Sequence, residues 1–194
     1  MKTPATVALT ALLLGGCVSL GQKPPASLLT LTSAEQLAAD AGGKAAAGEA
    51  ITILTPLAPQ AIANTRVAVA DGETAIAYVK DAQWVEPPAR LFQRLLSETV
   101  AARTGRVVLD PRQFALAPGA QLAGALKAFG IEARSREAVI VYDAAFSTDK
   151  GRTVQTRRFE AREPVAEVGA REAGRALNRA ANRIADQVAA WIPR

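Results

Sequence analysis

Histidine is absent from the 194 residues, and cysteine occurs once. This removes Ser-His-Asp and Cys-His nucleophile arrangements, imidazole general bases and most zinc sites. It also removes any internal disulfide. An enzyme built on this chain must work with carboxylates, lysines or hydroxyls. The carboxylates that qualify are Glu86, Asp110, Asp143, Asp149 and Glu160. Paired-carboxylate hydrolysis needs two of them about 5–10 Å apart, and nothing in their spacing brings a pair together. Gly43-Lys44 is not a phosphate loop, because Ala38 stands where the first glycine belongs and Ala45 replaces the hydroxyl residue after the lysine. No catalytic residue, cofactor or metal is expected.

Two other features offer binding chemistry. Arg171, Arg175, Arg179 and Arg183 recur every four residues, which places them on one helical face. Such a stripe suits anionic lipid headgroups or acidic partner residues. It also suits an ordinary solvated face, the commoner case. Trp84 has the bulk of an interface anchor, although a lone tryptophan at a strand–helix junction more often packs inward.

Cys17 stands in "LLLGGCVSL", Leu12 to Leu20. Lys2, the apolar run Val7 to Leu14 and the small Gly15-Gly16 have the layout of a secretory signal. The run is shorter than the roughly 20 residues a spanning helix needs. Leu14-Gly15-Gly16-Cys17 resembles a bacterial lipobox, in which the sulfur receives a diacylglycerol and the chain is cut just before it. The expected layout is a signal peptide over 1–16, a lipidated N-terminus and tether over 17–27, and a folded domain over 28–194. Pro24-Pro25 stiffens the tether. Stable anchoring takes more than one acyl chain, which this modification supplies. Val18 follows the cysteine, as in lipoproteins of enteric-type bacteria sorted to the outer membrane. The expected location is therefore the cell envelope, periplasm-facing and outer-membrane anchored. Export also argues against nucleic acid as the target of the net charge of +5, and the basic residues lack interleaved aromatics.

The elements behind the anchor follow from pattern. Hydrophobic residues make up 49% of the chain but aromatics only 5%, so the core is mostly aliphatic. Leu28 to Thr32 reads as a short β-like segment. Ala34 to Ala50 reads as a helical turn passing into a flexible loop. Ile51 to Thr55 is a strand candidate. Arg66 to Ala70 and Thr74 to Val79 form a hairpin around Asp71-Gly72. Pro87-Pro88 opens a helix with Leu91, Phe92, Leu95, Leu96, Thr99 and Val100 on one face, and Gly105 suits its end. Arg106 to Leu109 is a strand. Gln121 to Glu132 fits a helix by composition. Its alternation of Leu122, Gly124, Leu126 and Ala128 fits a strand with a glycine bulge, which the neighbouring strands Ala138 to Ser147 and Arg152 to Arg162 favour. A final helix spans about Val168 to Trp191, with Ala173, Leu177, Ala180, Ile184, Val188 and Trp191 as its apolar face. The fold class is α/β: a single domain with a mixed, largely antiparallel sheet packed with two long helices.

Thr65 to Gly105, with Tyr78, Trp84 and Glu86 ahead of the helix, resembles the ABC-type transport auxiliary lipoprotein family. So does Thr153 to Glu167, with Arg158-Phe159 and Pro164-Val165 ahead of an Ala-rich helix ending at Trp191. The resemblance implies a non-catalytic auxiliary component of an MCE-type ABC transport system moving phospholipid or other hydrophobic substrates between the envelope membranes. The implied partners are an MCE-domain protein and, through it, an ABC permease and ATPase. A homo-oligomeric ring is compatible with docking on a symmetric transporter. The alternatives are a stand-alone envelope lipid-binding or structural lipoprotein and, less favoured, a carboxylate-based hydrolase.

Overall fold

The computed structural model describes residues 27–38, 42–45, 49–110, 119–148 and 152–193. The signal over 1–16, Cys17, most of the tether, and the turn residues Asp149, Lys150 and Gly151 lie outside this set. The described residues form seven strands and two helices in the order β1 (Ile51–Ile53), β2 (Arg66–Asp71), β3 (Ala75–Gln83), α1 (Pro88–Thr104), β4 (Val108–Leu109), β5 (Ala120–Glu132), β6 (Glu137–Thr148), β7 (Thr153–Pro164) and α2 (Ala170–Trp191).

The segment with two possible readings is the organising strand. One edge of β5 takes β1 against Ala120–Leu122 and then β2 against Gly130–Glu132, both parallel to it. The other edge takes β6 antiparallel along nearly its whole length, and β7 follows antiparallel on β6. β4 pairs parallel with β1, and β3 closes a hairpin on β2. Gly72 has φ +81° in the hairpin turn, a backbone state in which glycine is favoured.

The expected glycine bulge in β5 is corrected. The register shifts between Leu126 and Ala128, so Lys127 is the extra residue, not a glycine. An inserted residue reverses which side chains point inward. Ala120, Leu122 and Leu126 face the core before it; Phe129 and Ile131 do so after it, and Ala128 does not. Gly124 is required for another reason. A Cβ there would lie 2.3 Å from the Asp143 carbonyl and 2.5 Å from the Tyr142 ring. Tyr142 is fully buried and donates its hydroxyl to the Ala123 carbonyl at 3.1 Å.

Both helices pack on one face of the sheet and on each other. α1 begins at Pro88, where the missing N–H is no loss. It ends at Gly105 with φ 69°, whose N–H donates to the Ala101 carbonyl. Its predicted face is buried throughout. The apolar face of α2 is likewise buried, with Trp191 half-buried against Phe159 and Phe146 at ring distances of 5.6 and 6.1 Å. α2 starts at Ala170, not Val168, which is exposed. Among the described residues of 34–50 there is no helical turn. Leu28 to Thr32 makes a single parallel bridge, Leu29 to Trp84, in place of a strand.

Candidate functional site

The segment Ser27 to Ala34 lies where the chain arrives from Cys17, and it is fastened to the domain like a strap. Leu29 N–H donates to the Gln83 carbonyl at 2.7 Å, and Val85 N–H donates to the Leu29 carbonyl at 2.9 Å. Two asparagines on α2 then replace a neighbouring strand. Asn178 Oδ1 accepts from Thr32 N–H at 2.8 Å. Asn182 Oδ1 accepts from Ala34 N–H at 2.7 Å, and its Nδ2 donates to the Thr32 carbonyl at 2.9 Å. Between them the buried Ser33 hydroxyl shares a hydrogen bond with Thr99 of α1 at 2.9 Å. Leu29 also sits against Gly174, where a Cβ would lie 2.9 Å from Leu29 Cδ2. Sequence reasoning missed these clamps. Asparagine is a poor residue for a helix interior, and two of them four apart in an Ala- and Arg-rich helix were the available signal.

The arginine stripe is not uniform. Arg179 Nε donates to Glu163 Oε2 at 3.1 Å, and Arg183 pairs with Glu163 Oε1. Glu163 is buried at the end of β7, so these two arginines tie α2 to the sheet. Arg175 pairs with Glu172 at 3.3 Å on the same helix. Arg171 makes no ion pair among the described residues. Arg171, Arg175 and Arg179 line a groove of about 610 Å³ whose opposite wall is the strap from Ser27 to Thr32. Among the described residues no carboxylate lines it.

Trp84 is corrected as a contact residue. It is 1% exposed and meets Phe129 edge-on at 5.7 Å. Its aromatic surface belongs to the core and offers nothing to a partner. Tyr78, beside the strap's neighbours, lies half-buried under the Arg66 guanidinium, 3.5 Å above its ring.

Glu86, Asp143 and Glu160 each face arginines, Glu86 by itself and the other two close together on the adjoining strands β6 and β7. Glu86 pairs with Arg90 and Arg94 ahead of α1. Asp143 accepts two hydrogen bonds from Arg158, at 2.6 and 2.8 Å. Glu160 pairs with Arg162, which also reaches Glu132 and Glu137. The facing guanidiniums hold Asp143 and Glu132 below the usual carboxylate range, chiefly through hydrogen bonds. Both networks lie on the sheet face opposite the helices. Glu98 and Asp110 line a second cleft of about 1020 Å³ beside α1, together with Arg90, Arg94 and Arg106. Asp149 lies outside the described residues. Among the described residues no His, Cys, Asp and Glu cluster has the makings of a metal site. No described helix is long and apolar enough to cross a membrane.

Residues 29–189 match the family model of the ABC-type transport auxiliary lipoprotein component. No curated protein matches the chain. Among solved structures, an uncharacterised protein superposes with a TM-score of 0.67 at 12% identity, covering 86% of this chain and all of its own. A Xanthomonas campestris protein assigned to the DUF330 family model superposes with a TM-score of 0.63 at 16% identity, covering 86% of this chain and 91% of its own. At these identities the likeness is one of fold.

Proposed function

The chain belongs to the ABC-type transport auxiliary lipoprotein component family, and on that premise we propose that it serves an MCE-type ABC system moving phospholipid or other hydrophobic molecules between the envelope membranes. A lipid crossing water exposes apolar surface at about 0.8 kcal/mol per methylene. Such transport therefore needs a shielded path whose parts are held in place at the membrane. In this reading the protein is non-catalytic. Lipid on Cys17 fixes it to the periplasmic side of the outer membrane, and its folded surface docks an MCE-domain protein. A ring of copies would match a symmetric partner.

The observation that carries the reading is the match over 29–189, which begins shortly after Cys17 and spans the whole strapped domain. The strap supports it further, since it joins the anchor-side chain to both helices rather than leaving a free tail. Two experiments test it. Cys17→Ala is expected to release the protein from membranes and to abolish acyl labelling; unchanged fractionation and labelling contradict the anchor. Pull-down on the lipidated protein is expected to recover an MCE-domain protein, and to lose it when the domain over 28–194 is deleted. Absence of that protein with the intact chain contradicts the transport role.

A further inference from the structure

We propose that the groove between the strap and the first half of α2 is a membrane-contact site that takes the phosphate of anionic phospholipid headgroups, with Arg171 and Arg175 as its ligands. The inference rests on the lipoprotein reading and deepens it by assigning which end of the domain meets the bilayer.

Four observations converge on this end. Among the described residues the groove wall carries three arginines and no carboxylate, and a guanidinium matches phosphate oxygens in a bidentate fork. Arg179 is engaged by Glu163, whereas Arg171 has no acidic partner among the described residues and Arg175 has only the exposed Glu172 pair. The cations nearest the start of α2 are thus the ones left for a ligand. Ser27, on the opposite wall, is the point where the chain from Cys17 arrives. The chain from Cys17 to Ser27 spans at most roughly 35 Å when extended, so an anchor on Cys17 keeps the groove within that reach of the headgroups. Finally, Leu28 and Val168 are exposed, at 49% and 46%, each within two residues of a groove-lining position. Basic residues flanked by exposed apolar side chains are the makings of a surface that rests in a headgroup layer.

The lipidated protein in vesicles tests this without removing the anchor. Lipidation of Cys17 leaves no free thiol, so Val168→Cys accepts a polarity-sensitive fluorophore at one site. A control label is placed at Thr153→Cys, beside the strand end opposite the start of α2. The expected result is a blue-shifted, brighter signal at position 168 in phosphatidylglycerol vesicles relative to phosphatidylcholine, with none at 153. Arg171→Gln with Arg175→Gln should abolish that difference. Headgroup affinity should fall about thirtyfold, the product of two arginines near an anionic surface. Equal signals in the two lipids, or a difference that survives the double substitution, overturns the proposal. Loss of MCE-protein recovery in the double variant with an unchanged vesicle signal also overturns it and gives the groove to the protein partner. Soluble glycerol phosphate binding the groove while vesicles leave position 168 unchanged overturns it as well. If Cys17 is not acylated, the anchor reading fails by labelling alone, before the vesicle comparison is made.

Discussion

Asn182 fastens the strap directly to α2: its Nδ2 donates to the Thr32 carbonyl at 2.9 Å, while its Oδ1 holds the next-but-one amide, Ala34 N–H, at 2.7 Å. One side chain thereby satisfies a donor and an acceptor of an extended segment that has no neighbouring strand there.

Asn182→Ala should therefore free the strap more than it weakens the domain. Two hydrogen bonds with net worth near 1 kcal/mol each set an upper bound of about 2 kcal/mol on global stability. Amide exchange at residues 30–34 should accelerate well beyond that at α1 or β6. Uniform acceleration across the domain would show that the clamp is part of the core.

Glu163 joins β7 to α2 through two arginines, and it is the buried member of the trio. Glu163→Ala leaves Arg179 and Arg183 able to hydrate, because both are about half exposed. The loss should be about 1.5–3 kcal/mol, the range for a hydrogen bond to a charged group. A double-mutant cycle with Arg179→Ala in urea unfolding should return a coupling of at least about 0.5 kcal/mol. Additivity would mean that the two residues act independently.

Gly124→Ala should destabilise although alanine suits a strand better than glycine. The new methyl group meets the Asp143 carbonyl and the Tyr142 ring, and a backbone neighbour yields little. Overpacking of this kind costs about 1–3 kcal/mol. Gly124→Ala combined with Tyr142→Phe should recover little, since the closest obstruction is the carbonyl. Full recovery would place the conflict at the hydroxyl.

The carboxylates on the helix-free face predict an acid response. Asp143 and Glu132 have lowered folded values because Arg158 and Arg162 bind their charged forms. A lowered folded value contributes stability that is complete above the unfolded values, about 3.9 for Asp and 4.3 for Glu. That contribution is lost as pH falls through the lowered values. The urea midpoint should therefore drop below about pH 4, and the drop should shrink in Arg158→Gln and Arg162→Gln. These groups are solvent-exposed, so the effect should be small and reduced by salt. A larger acid loss in the variants than in the parent chain would reverse the sign.

Local signals made most elements legible. Pro88 and Gly105 bracket α1, Asp71-Gly72 turns the β2–β3 hairpin, and the apolar spacing of α2 matches its buried face. β5 was legible only through its neighbours, because Lys127 changes the alternation midway and hides the period. Sheet order was not legible, since β1 and β2 reach β5 from distant parts of the chain. At the candidate site the arginine spacing was visible, but its division was not. That division depends on Glu163 arriving from β7 and on the strap covering one side of α2. For Trp84 the sequence favoured the inward reading, and its burial against Phe129 agrees with it.

Association with a transport system can be tested by photocrosslinking in cells. Crosslinkers placed at exposed positions on the helix-free sheet face and around the groove, followed by mass spectrometry, should capture an MCE-domain protein. Repeated capture of envelope structural proteins alone, with no transporter component from any position, would contradict it.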